Sequence, residues 1–385
     1  PVDFGFSQEQ ELLRQTARSF LDKECPSTFV RRMMDDAVGT TDEFWQKLAE
    51  LGWLGLIYPE AHGGVGLGFV DLTVILEEMG RVVMPGPYFS TVLLGGLALL
   101  EAGSEAQQGE WLPRIAGGEA RATLALIEET PGWTASGIQL AAKPIKGKDG
   151  HYLLSGTKLF VPDAHGADLL VVAARTAKPT KEDPQHGVSL FLVPAATKGV
   201  SVTPLPTMDR TRKLCEVTLS RVDVGPGALL GGLDTGWPAL RRILDRATVA
   251  LCAEMCGGAQ RVLEMCTEYA KIRVAFGKPI GTYQAVKHKC ADMLVAVENA
   301  KSITYYAAWA VDEGVPEASQ AASMAKAYVS DAYRKAAGDG IQIHGGIGFT
   351  WEHDLHLYFK RAKAAEVTFG DATFHRERVA QLINL

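Results

Sequence analysis

The sequence predicts an α+β protein: an N-terminal helical domain (1–119), a middle β-barrel domain (120–233) and a C-terminal four-helix bundle (234–385). Three observations predict it. Apolar residues recur at helical spacing through the first third, short alternating runs fill the middle, and long helical runs return from Trp237 onward.

Ser7-Gln8-Glu9-Gln10 has the form of a capping box, leading into Leu12, Leu13, Ala17 and Phe20. A second helix opens at Glu43 and ends at Gly52. A third runs from Asp71 to Gly80 and carries Glu77-Glu78; a strongly apolar fourth covers Tyr88–Leu100. Between them, Gly63-Gly64-Val65-Gly66 is a tight connection and not a nucleotide loop, since no strand precedes it and no lysine follows. Trp111-Leu112-Pro113 and Gly117-Gly118-Glu119 close the block. Strand-type runs follow at Arg121–Ile127, His151–Val161, Asp168–Ala174, Val188–Val193 and Glu216–Ser220, with turn clusters such as Lys148-Asp149-Gly150 between them. Long helices are then expected over Trp237–Ile272, Tyr283–Val311 and Pro316–Ala337, the last alanine-rich as in close-packed bundles. Glycines from Gly338 to Gly348 are expected to interrupt the pattern before two further helical pieces.

Composition excludes several classes. With 385 residues, 47% hydrophobic and 22% charged, this is an ordinary globular chain with room for a large core. A formal net charge of −6 without a basic run argues against nucleic acid as a partner. No stretch reaches the ~18 apolar residues a membrane span needs. The opening Pro1–Ser7 has neither a charged n-region nor an apolar h-region, so no signal peptide is expected in this numbering. The six cysteines form no CxxC pair; reduced thiols and a cytoplasmic location follow. Cys252, Cys256 and Cys266 lie at apolar helical spacing without a histidine at ligand distance, so packing and no metal is the reading.

The chemistry-bearing stretch is Arg273-Val274-Ala275-Phe276-Gly277-Lys278-Pro279-Ile280, closing with Tyr283-Gln284. Gly277 and Pro279 break the helix there. A guanidinium fork beside an aromatic face suits a ligand bearing both a diphosphate and a ring.

Five separated motifs in the right order make the whole chain resemble the acyl-CoA dehydrogenase family. They are Gly52-Trp53-Leu54-Gly55-Leu56 with Gly63-Gly64-Val65-Gly66; Trp111-Leu112-Pro113 with Gly117-Gly118-Glu119; Tyr152–Lys158; Arg273–Gly277; and Gln342-Ile343-His344-Gly345-Gly346. The resemblance implies an FAD held between the β-domain and the C-terminal helices. Its pyrophosphate and adenosine would be gripped by a neighbouring subunit, in a dimer or tetramer. By matching position Arg273 would contact the pyrophosphate, with Phe276, Gln284, Gln342, Gly345 and Gly346 lining the adenosine end. It also implies an acyl-CoA substrate, a glutamate that removes the α-proton, flavin N5 as acceptor of the β-hydride, and an electron-transferring flavoprotein as electron acceptor.

The departures from the family gather in the catalytic half. Against the family's Tyr-Glu-Gly-Thr stands Phe369-Gly370-Asp371-Ala372: Gly370 falls on the base, and Asp371 is the only carboxylate beside it. The family's minority site for the base, on the helix after the β-domain, falls on Ala247, while the nearby Asp245 matches a pantetheine-binding residue. The flavin-facing loop reads Ile127-Glu128-Glu129-Thr130-Pro131-Gly132-Trp133-Thr134, so that Ile127 and Trp133 stand where hydroxyls are usual; Phe160-Val161-Pro162 likewise replaces Trp-Ile-Thr. The elements that reach a neighbour's flavin are intact. Three enzyme readings follow: a homotetramer using Asp371 as base, a base-deficient subunit of an α2β2 assembly, or β-elimination on the same ligands. A non-catalytic scaffold is the fourth.

Overall fold

A computed structural model describes residues 6–130 and 132–385; the first five residues, read above for a signal peptide, and Pro131 of the loop expected to face the flavin lie outside these. Its helices are α1 (Gln8–Glu24), α2 (Ser27–Asp35), α3 (Asp42–Glu50), α4 (Phe69–Arg81), α5 (Tyr88–Ser90), α6 (Leu97–Ala102), α7 (Glu105–Ala116), α8 (Gly236–Ile272), α9 (Gln284–Glu313), α10 (Ala318–His344), α11 (Leu355–Val367) and α12 (Ala372–Leu382). The strands are β1 (Ala122–Ala125), β2 (Ala141–Pro144), β3 (Tyr152–Pro162), β4 (Leu169–Arg175), β5 (Val188–Pro194), β6 (Val200–Leu205), β7 (Leu214–Val224), β8 (Leu229–Leu230), β9 (Val274–Ala275) and β10 (Lys278–Pro279). The order helices, sheet, helices is the expected one. The capping box is formed: Gln10 N donates to Ser7 Oγ at 3.2 Å and Ser7 N to Gln10 Oε1 at 3.1 Å.

Contacts divide the chain into two compact units. One holds the described residues of Pro1–Arg32 with Gly68–Met84 and Asp245–Leu385; the other holds Met33–Leu67 and Pro85–Leu244.

In the second unit the sheet runs β6-β7-β3-β2-β4-β5-β8, with β1 pairing parallel to β4. Strand β4 is buried along its whole length, which its unbroken Leu169–Ala174 apolar run dictates. Leu154, Val172, Phe191, Val217 and Val222 share one core, so strands far apart in the order close on the same interior. The pattern missed β2, β6 and β8. These are short or largely exposed, and Pro204 in β6 and Pro144 in β2 weaken any strand signal.

In the first unit α8 and α4 pack backbone to backbone. A Cβ on Gly80 would overlap the Glu254 carbonyl, and one on Gly257 the Glu77 carbonyl. Only glycine permits that approach. Helix α10 corrects an expectation: it runs unbroken through Gly338 and Gly340 to His344. Gly340 is there for close packing, since a Cβ would come within 2.8 Å of Leu355 and 2.9 Å of Val262. No helix among the described residues is long and apolar enough to cross a membrane.

Candidate functional site

The first unit presents an outward constellation. After α8 the chain folds into the hairpin β9–β10, with Phe276 (φ +52°) and Gly277 (φ +79°) at its tip. Ile280 N donates to Arg273 O at 2.8 Å and Tyr283 Oη to Ala275 O at 2.9 Å, so the hairpin's shape is set by its own backbone and the Tyr283 hydroxyl. Lys278 lies over the Tyr283 ring at 4.7 Å, while the side chains at the tip and beside it face outward. Phe276 is 96% exposed, and Arg273 and Gln284 are exposed too. At the far end of α10, Gln342, Gly345 and Gly346 are exposed, and a Cβ on either glycine would meet nothing within 4 Å. His344 between them is structural: it is buried, its Nδ1 lies 2.9 Å from Gly340 O, and its ring stacks on Tyr269 at 4.3 Å. A hollow of about 420 Å³ beside the hairpin is lined by Ala270, Lys271, Gly281, Thr282 and Lys287.

The turn between α11 and α12 is the reverse case. Phe369 (φ +62°) and Gly370 (φ +104°) are both buried and both left-handed. For an aromatic residue this backbone is costly and must be held from outside. Two buried side chains hold it. Lys326 Nζ donates to Gly370 O (2.8 Å), Glu366 O (3.0 Å) and Ser330 Oγ (3.0 Å). His375 Nε2 donates to Phe369 O at 3.0 Å, while its Nδ1 is buried without a partner. Burial pulls the Lys326 ammonium down to about 8. Burial, with Lys326 next, pushes His375 down to about 3. The expected base, Asp371, is exposed and caps α12, its Oδ1 accepting from Phe374 N at 2.8 Å. Ala247 is fully buried on α8. Asp245, two residues before it, is buried in a bidentate pair with Arg378 and a hydrogen bond from Ser319.

In the second unit the loop after β1 is stapled to the sheet. Glu128 Oε1 accepts from Gln139 N and Leu140 N, both at 3.0 Å, and from the buried Lys158 Nζ at 2.6 Å. Arg175 adds bonds to the carbonyls of Ile138 (2.8 Å) and Pro184 (2.9 Å). Burial brings the Lys158 ammonium down to about 8 against the pull of Glu128. Ile127 is buried and Trp133 half-buried. Phe160 sits in a bulge of β3 at φ +53°, with its ring 54% exposed.

Models of the acyl-CoA dehydrogenase N-terminal, middle and C-terminal domains match residues 7–119, 123–222 and 234–383. The probable acyl-CoA dehydrogenase YngJ of Bacillus subtilis (strain 168) is 31% identical over 388 residues, 99% of each chain. The chain belongs to the acyl-CoA dehydrogenase family. Butyryl-CoA dehydrogenase from Megasphaera elsdenii superposes with a TM-score of 0.91 over 100% of both chains, at 26% identity. The ChsE4–ChsE5 complex from Mycobacterium tuberculosis supplies a chain with a TM-score of 0.88, 28% identical, covering 100% of this chain and 99% of that one.

FAD is the cofactor this acyl-CoA dehydrogenase family implies. The outward constellation fits it: an exposed guanidinium, an exposed ring and two glycines with open space where a Cβ would stand match a diphosphate and a flat heterocycle. Among the described residues no cluster could hold a metal ion, and the described cysteines are free thiols, all but Cys290 buried. Sequence reasoning missed Lys326, His375 and Arg378. A signal for Lys326 existed: Ser319, Ser323, Lys326 and Ser330 recur at spacings of four, three and four, a polar stripe down one face of α10.

Proposed function

We propose that this chain is the base-deficient subunit of a hetero-oligomeric acyl-CoA dehydrogenase. It completes the FAD site of a related, glutamate-bearing partner. The observation that carries this reading is the state of the base positions. Gly370 takes a left-handed backbone, and a Cβ there would overlap the Phe374 ring; the next residue, Asp371, is the N-cap of α12. A glycine followed by a capping residue is what the Gly-Thr half of the family motif supplies. This supports a register in which the motif's glutamate falls on Phe369, one residue earlier than the sequence alone gave. The alternative position falls on the buried Ala247. Neither can accept a proton, so the α-proton of the acyl-CoA goes to a carboxylate of the partner.

FAD, when bound, supplies the acceptor for the β-hydride. The chain's own residues do the rest. Arg273 neutralises the diphosphate, Phe276 offers a face, Gly345 and Gly346 leave room for close approach to the backbone, and Gln284 and Gln342 offer polar contacts at the adenosine end. In the second unit Ile127, Trp133 and Phe160 replace hydroxyl-bearing or larger family residues with apolar surface. That composition supports a weak or empty flavin pocket of the chain's own. The existence of a two-chain complex among its structural neighbours also supports the reading. An electron-transferring flavoprotein is the proposed electron acceptor.

One observation favours a homotetrameric enzyme instead: Asp371 uses only Oδ1 in its cap, leaving Oδ2 for a proton. Expression alone and with a glutamate-bearing related subunit separates the two. Flavin per chain and acyl-CoA dehydrogenation are measured. Turnover confined to the mixed assembly is expected; one FAD per chain with turnover by the chain alone overturns the proposal.

A further inference from the structure

The hollow beside the hairpin has walls that the flavin reading leaves unused. Ala270 of α8, Pro279 of β10 and Cys290 of α9 line its volume of about 420 Å³, and none of the residues assigned to FAD is among its lining. That volume lies in the ordinary range for a small-molecule site. One wall is fixed by close packing: Gly281 lies so near α8 that a Cβ would come within 2.9 Å of the Ala270 carbonyl oxygen.

Charge picks the occupant. Between Glu268 and Asp292 the sequence holds Lys271, Arg273, Lys278, Lys287 and Lys289 and no acid, in a chain of net charge −6. Lys289 is spent on Asp339 at 2.7 Å, Lys278 lies over the Tyr283 ring, and Arg273 is assigned to the diphosphate. Lys271 and Lys287 are left. They come from different helices, both are exposed and both line the hollow, and neither ammonium has a partner among the described residues. No carboxylate lines the hollow with them. A neutral apolar occupant would leave two ammoniums unanswered, and a bare inorganic oxyanion would leave the apolar walls in water.

We infer that the hollow binds a small organic anion with an apolar body, an aryl or alkyl carboxylate whose charge is met by Lys271 and Lys287. The site does not depend on the partner-subunit reading. Pro279 belongs both to the hollow and to the hairpin, so an occupant bears on the strand pair that carries Phe276.

Cys290 makes the test local, since it lines the hollow and the other described cysteines are buried. The full chain, with and without FAD, is alkylated with neutral iodoacetamide, and the rate at Cys290 is followed by peptide mass spectrometry. Naphthoate is the probe and naphthamide its uncharged counterpart. Millimolar naphthoate is expected to slow alkylation of Cys290 severalfold, and naphthamide to leave the rate unchanged. Lys271→Met and Lys287→Met should each raise the half-protecting concentration roughly fivefold, the upper end for an exposed ion pair, while Lys287→Arg should keep most of the protection. Equal protection by the two probes, or none from naphthoate, overturns the site. A Cys290 that does not react at all means a closed hollow and overturns it too. Competitive displacement of naphthoate by FAD would make the hollow an extension of the flavin site, and the separate anion site would fall.

Discussion

Within the helical unit, the hairpin after α8 and the turn after α11 use the same backbone device for opposite ends. Both put an aromatic residue in left-handed backbone directly before a glycine: Phe276-Gly277 and Phe369-Gly370. In the hairpin the ring points to solvent and the neighbouring arginine is exposed. In the turn the ring is buried, its own carbonyl is gripped by His375 and that of Gly370 by Lys326. A strained aromatic held inside serves the cohesion of its own chain. The same residue held outside, with its polar neighbours unspent, is available to another molecule. The difference teaches where to look for function: in the groups a fold positions and then leaves unused.

The largest effect expected from the buried turn is on acid stability. His375 is neutral in the fold, with its folded value about 3 against an ordinary 6.5. As pH falls through 6.5 the unfolded chain takes up a proton that the folded chain refuses, so stability is lost from there down towards 3. Urea unfolding should show a loss of about 3 kcal/mol between pH 7 and pH 4 from this group. His375→Gln, less stable at pH 7, should lose correspondingly less over that interval. An equal loss in both proteins would remove His375 as the cause.

Next in size is Gly370→Ala. The new methyl meets the Phe374 ring, and the backbone there disfavours any Cβ. A destabilisation of about 2–3 kcal/mol is expected, read as a fall in the denaturation midpoint with unchanged slope. The matching change in the hairpin, Gly277→Ala, meets no atom within 4 Å and should cost only the backbone term, about 1 kcal/mol.

Arg273→Ala should reverse the pattern. The side chain is exposed, so the melting temperature should hardly move. Retention of FAD by the assembled enzyme should weaken by about 2 kcal/mol, roughly 30-fold, the worth of hydrogen bonds to a charged group. Flavin released on dilution measures it. Full flavin retention would mean that the hairpin serves some other ligand.

The helix break that the hairpin fills was legible in the sequence because its signals are local: a helix-breaking Gly277 and Pro279, and an arginine and phenylalanine with no apolar period to belong to. The long helices and the buried strand β4 were legible for the same reason. The turn was not. Nothing in Phe369 predicts left-handed backbone, which runs against its preference and depends on Lys326, 43 positions earlier in the chain. A lysine in an alanine-rich helix reads as a surface residue until its serine neighbours at heptad spacing are noticed. Gly340 misled for a related reason: locally a glycine breaks a helix, and only Leu355 and Val262, packed where its Cβ would stand, explain one inside α10; Gly338 lies in the same unbroken helix with open space beside it. What the sequence hid was tertiary in origin.

The smallest effect is the most discriminating. Asp371 is either a cap that happens to carry charge or the base of a self-sufficient enzyme. Replacing it with alanine removes both roles together and costs about 1 kcal/mol of helix stability whichever is true. Asp371→Asn separates them, because asparagine caps a helix as well as aspartate does but cannot take up a proton. The backbone N–H of Phe374 keeps its acceptor, so stability should change by less than about 0.5 kcal/mol. Turnover of the mixed assembly, measured with saturating acyl-CoA, should then be unchanged. A fall of 10²-fold or more at unaltered stability, the usual cost of removing a general base, would return the chemistry to this chain.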